Sequence, residues 1–538
     1  MLPDVVETCS EDDVGWGSGW LQKDFVIDFN TATLGATGPL TDSINIDTFS
    51  DFIVPINGHV LLGVIGFCVF LAAHEAYVAA GAKPLLANHE RRNSASLQVV
   101  IVISWILIFM NVAMLVPVSL DFSLAMGQSA TASGVFLSGG TVFSVVGLMV
   151  GKPLTSEDNW NQQFARRLFL VCNLLCLVLL FGIAILVEMA ATWSLPTRRG
   201  TFWLVLILNG IVAFLSSIPM VSWMTMWQII TPHSEKTFWQ MMAQCGRNGG
   251  FVLGPVAFAG LSLLVRQGRE VSPISMMSWS MIGLVVLQAA ELTGASLFYP
   301  TILGQSDEGA AEEASPEAEG DCLEIAPEQL PAESREDIVK YMIAYSYERP
   351  FTISAIEVAT MMLLEVSYGW SAELCGASFM VVGGASLTLT AFSSLVISRK
   401  WMPESHVFLG STAATLLGVL LLFDWKFFGA GTLLFADAII YGASSVSNGV
   451  AQGLATRAAM QGTAWGIETY RINNLVGVNV SRFIGPVVAR FMIDFGGRNT
   501  YAAVQMLVCF LGTCTVYKTV CLVWAGKSKM LSKPQACQ

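Results

Sequence analysis

The sequence predicts an all-helical, polytopic membrane protein built from two structurally equivalent halves. Two observations carry that prediction. The 538 residues are 54% hydrophobic and only 13% charged, about half the charge of an ordinary soluble domain. The apolar stretch Gly246-Arg247-Asn248-Gly249-Gly250-Phe251-Val252-Leu253-Gly254-Pro255-Val256-Ala257 also returns 231 positions later as Gly477-Val478-Asn479-Val480-Ser481-Arg482-Phe483-Ile484-Gly485-Pro486-Val487-Val488. Glycine costs about 1 kcal/mol in a helix interior and proline about 3. A bilayer supplies the reason to keep them: small residues let backbones approach, and neighbours re-satisfy the groups that proline frees.

Charge is unevenly placed. Of the net −12, residues 1–51 contribute −9 and residues 304–338 contribute −11, which leaves +8 in the body. Both acidic segments are polar and poor in core-forming residues, as chains outside a bilayer are. Residues 1–51 read as an acidic arm with no basic n-region of a signal peptide. A nucleic-acid partner is not expected from this pattern. The eleven cysteines are scattered without a CxxC, and the five histidines form no metal-ligand spacing. No cofactor or metal is expected.

Apolar runs long enough to span, about 20 residues each, fall at 54–80, 97–119, 130–151, 167–193, 201–230, 237–266 and 274–302, then at 351–370, 373–397, 405–424, 429–457, 462–494 and 498–525. That is one extra helix, then six, then six. The first run carries His59, His74 and Glu75, so an interfacial position is the alternative to a span. The organisation is therefore an arm (1–51), an extra helix with a basic connection (52–96), a six-helix bundle (97–303), an acidic disordered linker (304–349), a second six-helix bundle (350–526) and a short basic tail (527–538). Lysine and arginine are richer on the side holding Lys83, Arg91, Arg92, Lys152, Arg166, Arg167, Arg399 and Lys400, which makes that side cytosolic. The linker then faces the cytosol.

An ionisable residue inside a membrane helix costs several kcal/mol unless it is paired or wetted, so each is a candidate site. Arg247 lies one to two turns into its helix, and Arg482 lies one turn before Gly485-Pro486. Each is read as substrate-binding, with a gate or a snorkelling end as the alternative. Were both to face one cavity, two cations there would favour an anion. Asn479, Trp223 and Trp227 complete the substrate-binding candidates, Trp being common at membrane interfaces too. Glu357 reads as near the cytosolic edge, with Glu365 about 12 Å deeper at 1.5 Å per residue. A carboxylate in a partly apolar cavity titrates closer to neutrality, so these two and Asp437 are candidates for proton coupling or gating. Glu468 and Arg471, at i, i+3, read as a gate near the cytosolic end. Glu188 and Glu291 read as contacts between helices away from any cavity.

Several stretches resemble the major facilitator superfamily. A first body helix ends in Val116-Pro117-Val118-Ser119-Leu120-Asp121-Phe122, and a glycine-rich second helix follows (Ser138-Gly139-Gly140 to Gly147). The fifth resembles the family's glycine-proline signature at Gly250, Gly254, Pro255 and Gly260, echoed at Gly485 and Pro486. Gly250–Val256 and Ser481–Pro486 are similar to the family's lysosomal and vacuolar branch, which includes the ceroid-lipofuscinosis and SPX-MFS phosphate groups. The chain departs from both. Gly147 to Asp158 lacks the Asp-Arg core usual between helices 2 and 3, and no SPX domain or basic helix 4 is read. The resemblance implies two bundles related by a pseudo-two-fold axis, rocking about a midplane site to move a small anion, with proton coupling as an option. It implies a monomer in lipid bilayer, in a vacuolar, lysosomal or other endomembrane, with the plasma membrane as the alternative. An anion channel and a non-transporting scaffold remain open. An enzyme is not expected, since no nucleophile–base pair, phosphate-binding loop or metal set is present.

Overall fold

The structure is a computed structural model that describes residue 63 and residues 66–531, apart from 64–65, 87–94, 155–159, 232–234, 267–270, 304–326, 371, 426–428 and 461. The expected acidic arm, most of the linker and the end of the tail lie outside the described residues. Among the described residues there is no strand. Among the described residues a helix at Gly66–Ala79 precedes twelve further α-helices. The first bundle comprises α1 (Ala95–Ala125), α2 (Thr131–Leu154), α3 (Gln162–Ala190), α4 (Leu195–Ile230), α5 (Lys236–Arg266) and α6 (Pro273–Phe298). The second comprises α7 (Ala332–Tyr368), α8 (Ala372–Ser398), α9 (Glu404–Leu420) and α10 (Ala430–Ala458), followed by α11 and α12 within the run Ile467–Leu531. Gly497 (φ 72°, ψ −172°) separates α11 from α12, in a conformation that side chains resist. Arg498 closes the break by donating to the carbonyl of Leu422 at 2.6 Å. Among the described residues ten apolar runs are long enough to cross a bilayer, the last of them holding both α11 and α12. The protein is a multi-pass integral membrane protein.

The glycine-proline stretch of α5 packs against α1. A Cβ on Gly250 would stand 2.5 Å from the carbonyl oxygen of Ile106, and one on Gly254 would stand 2.6 Å from Cβ of Ala113. In the second bundle a Cβ on Gly485 would meet Ser354 Oγ at 2.4 Å, so α11 meets α7 as α5 meets α1. The echo in the sequence is thus an equivalence of contacts. Gly260 differs: nothing lies within 4 Å of its Cβ position, so it is not a packing glycine.

One boundary corrects the sequence reading. The linker was expected to run to 349, yet α7 begins at Ala332. Glu333, Arg335, Glu336, Asp337, Lys340, Glu348 and Arg349 dilute its apolar content. Ile338, Val339, Met342 and Tyr345 nevertheless form a helical stripe, buried against Val516, Val520 and Val523 of α12 and Val446 and Val450 of α10. Charge on the far face hid an amphipathic helix. Arg349 is fully buried between Glu348 (2.9 Å) and Ser444 of α10 (3.1 Å). Glu357 is consequently well inside α7 and not near its cytosolic edge, while Glu365 lies in the last turn before the C-cap Gly369.

The helix at Gly66–Ala79 is docked through its C-terminal turns. Glu75 and Arg166 of α3 form a two-pronged ion pair at 2.5 and 2.6 Å. Arg166 also donates to the carbonyls of Ser296 and Tyr299 at the end of α6. Leu71 packs in the same apolar cluster as Phe169, Trp227 and Leu292.

Three outcomes test this description. Gly250→Ala should lower the melting temperature of the detergent-solubilised protein, because overpacking costs about 1–3 kcal/mol. Gly260→Ala should leave it unchanged or raise it, since alanine favours helix by about 1 kcal/mol. Hydrogen exchange should show slow amides from Ile338 to Arg349, where a disordered linker would exchange at once.

Candidate functional site

Arg247 and Arg482 come from opposite bundles and meet in one place. In the 231-residue register Arg247 matches Val478 and Arg482 matches Phe251. The repeat therefore presents a cation from each half at non-equivalent positions. The Arg247 guanidinium lies 5.3 Å from the Phe109 ring centre and 5.8 Å from that of Phe251. That of Arg482 lies 4.9 Å and 5.9 Å from the same two rings. Aromatic faces are favourable ground for a desolvated cation.

Both arginines share Glu357. Arg247 Nη2 is 3.9 Å from Oε1 and Arg482 Nη2 is 3.8 Å from Oε2, while the Tyr441 hydroxyl donates to Oε1 at 3.2 Å. These ion-pair distances exceed hydrogen-bond length. Arg247 Nε and Nη2, both buried, accordingly have no hydrogen-bond partner. Two cations face one carboxylate, so the cluster carries an excess positive charge and unspent donors.

The two arginines line a cavity of about 360 Å³ between the bundles. Trp105, Phe109, Trp223 and Trp227 supply aromatic wall, and Asn479 also reaches it. Towards the end where the linker joins, Leu148 and Val221 of the first bundle close on Ile472 and Leu475 of α11. On the same side Gly449 and Gly453 of α10 lie against Met241 and Thr237 of α5. At the opposite end Arg490 of α11 bonds Ser133 of α2, and Thr131 donates to Asp494 at 3.2 Å. Alongside the cavity, Asn248 of α5 donates to Ser386 (2.9 Å) and Thr390 (3.3 Å) of α8 and accepts from Ser445 of α10 at 3.1 Å.

Of the residues singled out from the sequence, Arg247, Arg482, Asn479, Trp223 and Trp227 share this cavity, and Glu357 joins the arginines. The rest are elsewhere. Glu365 is at the far end, within electrostatic reach of Asp121 and Arg490, so it does not share the site of Glu357. Asp437 is fully buried inside the second bundle, accepting from Thr360 at 2.6 Å. Arg471 is buried and Glu468 half-buried near the start of α11. Glu188 accepts from Ser275 of α6 at 3.0 Å, a contact between helices as expected. Glu291 corrects its expectation: Leu284, Gln288 and Glu291 form one face of α6 that lines the cavity. Besides Asn479 and Gln288, eight more carboxamides line it, on α1 (Asn111), α3 (Asn173), α4 (Asn209), α5 (Gln240, Gln244), α10 (Asn448, Gln452) and α11 (Asn474). The spacing of Gln240, Gln244 and Arg247, at i, i+4 and i+7, was the available signal for two of them.

No protein-family model and no curated protein matches the chain. Solved structures do match in fold. The xylose transporter XylE from E. coli, in a partially occluded inward-open conformation, superposes with TM-score 0.56 at 12% identity, over 79% of this chain and 97% of that one. The proton:xylose symporter XylE bound to 6-bromo-6-deoxy-D-glucose gives 0.54 at 10% identity, over 80% and 95%. The human organic anion transporter MFSD10 gives 0.45 at 16% identity, over 78% and 98%. Twelve helices in two equivalent bundles about a central cavity, with these XylE superpositions, give the chain the fold of the major facilitator superfamily.

Proposed function

We propose that the protein is a secondary-active transporter of a small anion, working by alternating access around the Arg247–Arg482 cavity. The observation that carries this reading is the pairing of one arginine from each bundle on a single carboxylate. An anion entering the cavity would complete the charge of two guanidiniums that share only Glu357. Because the cations belong to different bundles, the bound anion would also hold the bundles together while they rock. Transport itself is named for the XylE structures of this fold, and its extension to this chain is part of the proposal.

Glu357 supplies a route to coupling. Ionised, it competes with the substrate for both arginines; protonated, it releases them. Proton and anion would then be carried in the same direction. Asp437 offers a second protonation site within the bundle. Glu365 with Arg490, and Glu468 with Arg471, would act at the two ends as gates. The sequence resemblance favours a lysosomal or vacuolar membrane and a monomeric carrier.

Proteoliposome uptake tests the reading. Flux of the transported anion should saturate and support counterflow, whereas a channel gives unitary currents without counterflow and a scaffold gives neither. Arg482→Ala should reduce flux at least tenfold, since removing one partner from a buried charge cluster costs about 2–5 kcal/mol; full flux in that variant overturns the assignment. Glu357→Gln should retain anion exchange while losing accumulation driven by a pH gradient. Equal accumulation in the variant and the parent would remove Glu357 from coupling.

A further inference from the structure

Beside the arginines the cavity wall is made of carboxamides, and their oxygens need donors. Gln240 and Gln244 stand on the Arg247 face of α5, about 10 Å and 4.5 Å along the axis from it at 1.5 Å per residue. Asn448 and Gln452 are one turn apart on α10, and Asn474 lies two turns from Arg482 on α11. Gln240, Gln244, Asn448 and Asn474 are each at most 7% exposed. The oxygens of Gln244 and Asn474 and the indole N–H of Trp223 are buried without a hydrogen-bond partner.

A buried polar atom left unpaired is costly to the fold. Several such atoms around one cavity mark where a ligand bonds. The type of ligand follows from the type of atom. A carboxamide offers an acceptor and two donors in one plane, and exchanging its oxygen and nitrogen leaves that true. An inorganic anion, mostly acceptor, answers the arginines and leaves the amide oxygens unmet. An acid with a hydrocarbon body leaves the whole wall unmet. An ammonium would supply donors and could approach Glu291, but beside Arg247 and Arg482 it would be repelled by two guanidiniums that share one carboxylate. Hydroxyl groups donate and accept at once, and their carbon skeleton can lie against Trp223 and Trp227.

We propose that the substrate is a polyhydroxylated organic anion, its acid group held by Arg247 and Arg482 and its hydroxyls by the carboxamide wall. This inference rests on the anion-transport reading and narrows it. A carboxylate and a phosphate monoester present the same chemistry to the arginines, and the wall requires hydroxyls over about 5–12 Å beyond them at the helical rise.

Binding to the purified full-length protein, measured by calorimetry, decides the matter with four probes: gluconate, glucose 6-phosphate, hexanoate and glucose. Gluconate or glucose 6-phosphate should bind at least tenfold tighter than hexanoate, which has the acid without hydroxyls, and than glucose, which has hydroxyls without the acid. The better of the two identifies the acid group. Gln244→Leu and Asn474→Leu should each weaken that ligand about five- to thirty-fold while hexanoate binding and the melting temperature stay as in the parent. Hexanoate binding as tightly as both hydroxylated acids overturns the inference and leaves the anion reading intact. So does an equal loss of hexanoate and hydroxylated acid in both variants. Glucose binding as tightly as the acids, with no effect of Arg482→Ala, overturns the anion reading as well. Failure of both hydroxylated acids to bind at millimolar concentration also overturns the inference.

Discussion

Charge shared across the interface between bundles is the constraint on which the rest of the structure depends. Arg247 belongs to one bundle and Arg482 and Glu357 to the other. Each would be costly alone at the centre of a bilayer. Together, with the Tyr441 hydroxyl and the Phe109 and Phe251 rings around them, they form a cluster that neither half can hold unaided. Separating the bundles at this level takes Arg247 away from Glu357, so the bundles are tied at their middle by electrostatics.

The contacts flanking that cluster differ in kind. Along α5, α8 and α10 the tie is a saturated amide network centred on Asn248, with Ser386, Thr390 and Ser445 as partners. Between α2 and α11 it is apolar near the linker, where Leu148 meets Ile472 and Leu475, and polar at the opposite end, where Arg490 meets Ser133. Apolar contacts slide at little cost, whereas a directional network resists shear until it is exchanged as a unit. The asymmetry starts from one sequence position: in the repeat, Asn248 corresponds to Asn479, which bonds its own helix at Leu475 instead of a neighbour.

Much of the fold was legible because long apolar runs and the Gly-Asn-Gly-Pro echo report directly on helices and on packing. The repeat made the helices of the two arginines equivalent, and the family resemblance, in which those helices flank one cavity, brought Arg247 and Arg482 together. Three features escaped that logic. The start of α7 was hidden because hydropathy averages over all faces, and the charged face of residues 332–349 outweighed the stripe that packs on α12. Glu357 was put at a helix edge for the same reason. Glu291 and the carboxamides were missed because which face of a helix meets a cavity depends on tertiary packing. A Gln in a membrane helix signals only that a partner is needed. Glu357 and Glu365 lie only about 80° apart around the helix, which suggested one shared cavity, but eight residues of rise set them about 12 Å apart and Glu365 beside Arg490 instead.

The early start of α7 has a mechanical consequence. A single helix of 37 residues measures about 55 Å at 1.5 Å per residue. It carries the end of the linker at one extremity, Glu357 inside and Glu365 at the other extremity. Its one weak point is Pro350, seven residues before Glu357, where the hydrogen-bond ladder is interrupted. Buried packing of Ile338, Val339 and Met342 makes the first segment part of the bundle and not a slack tether. A force applied at the linker is therefore delivered along a stiff rod with one joint, to the carboxylate on which both arginines depend.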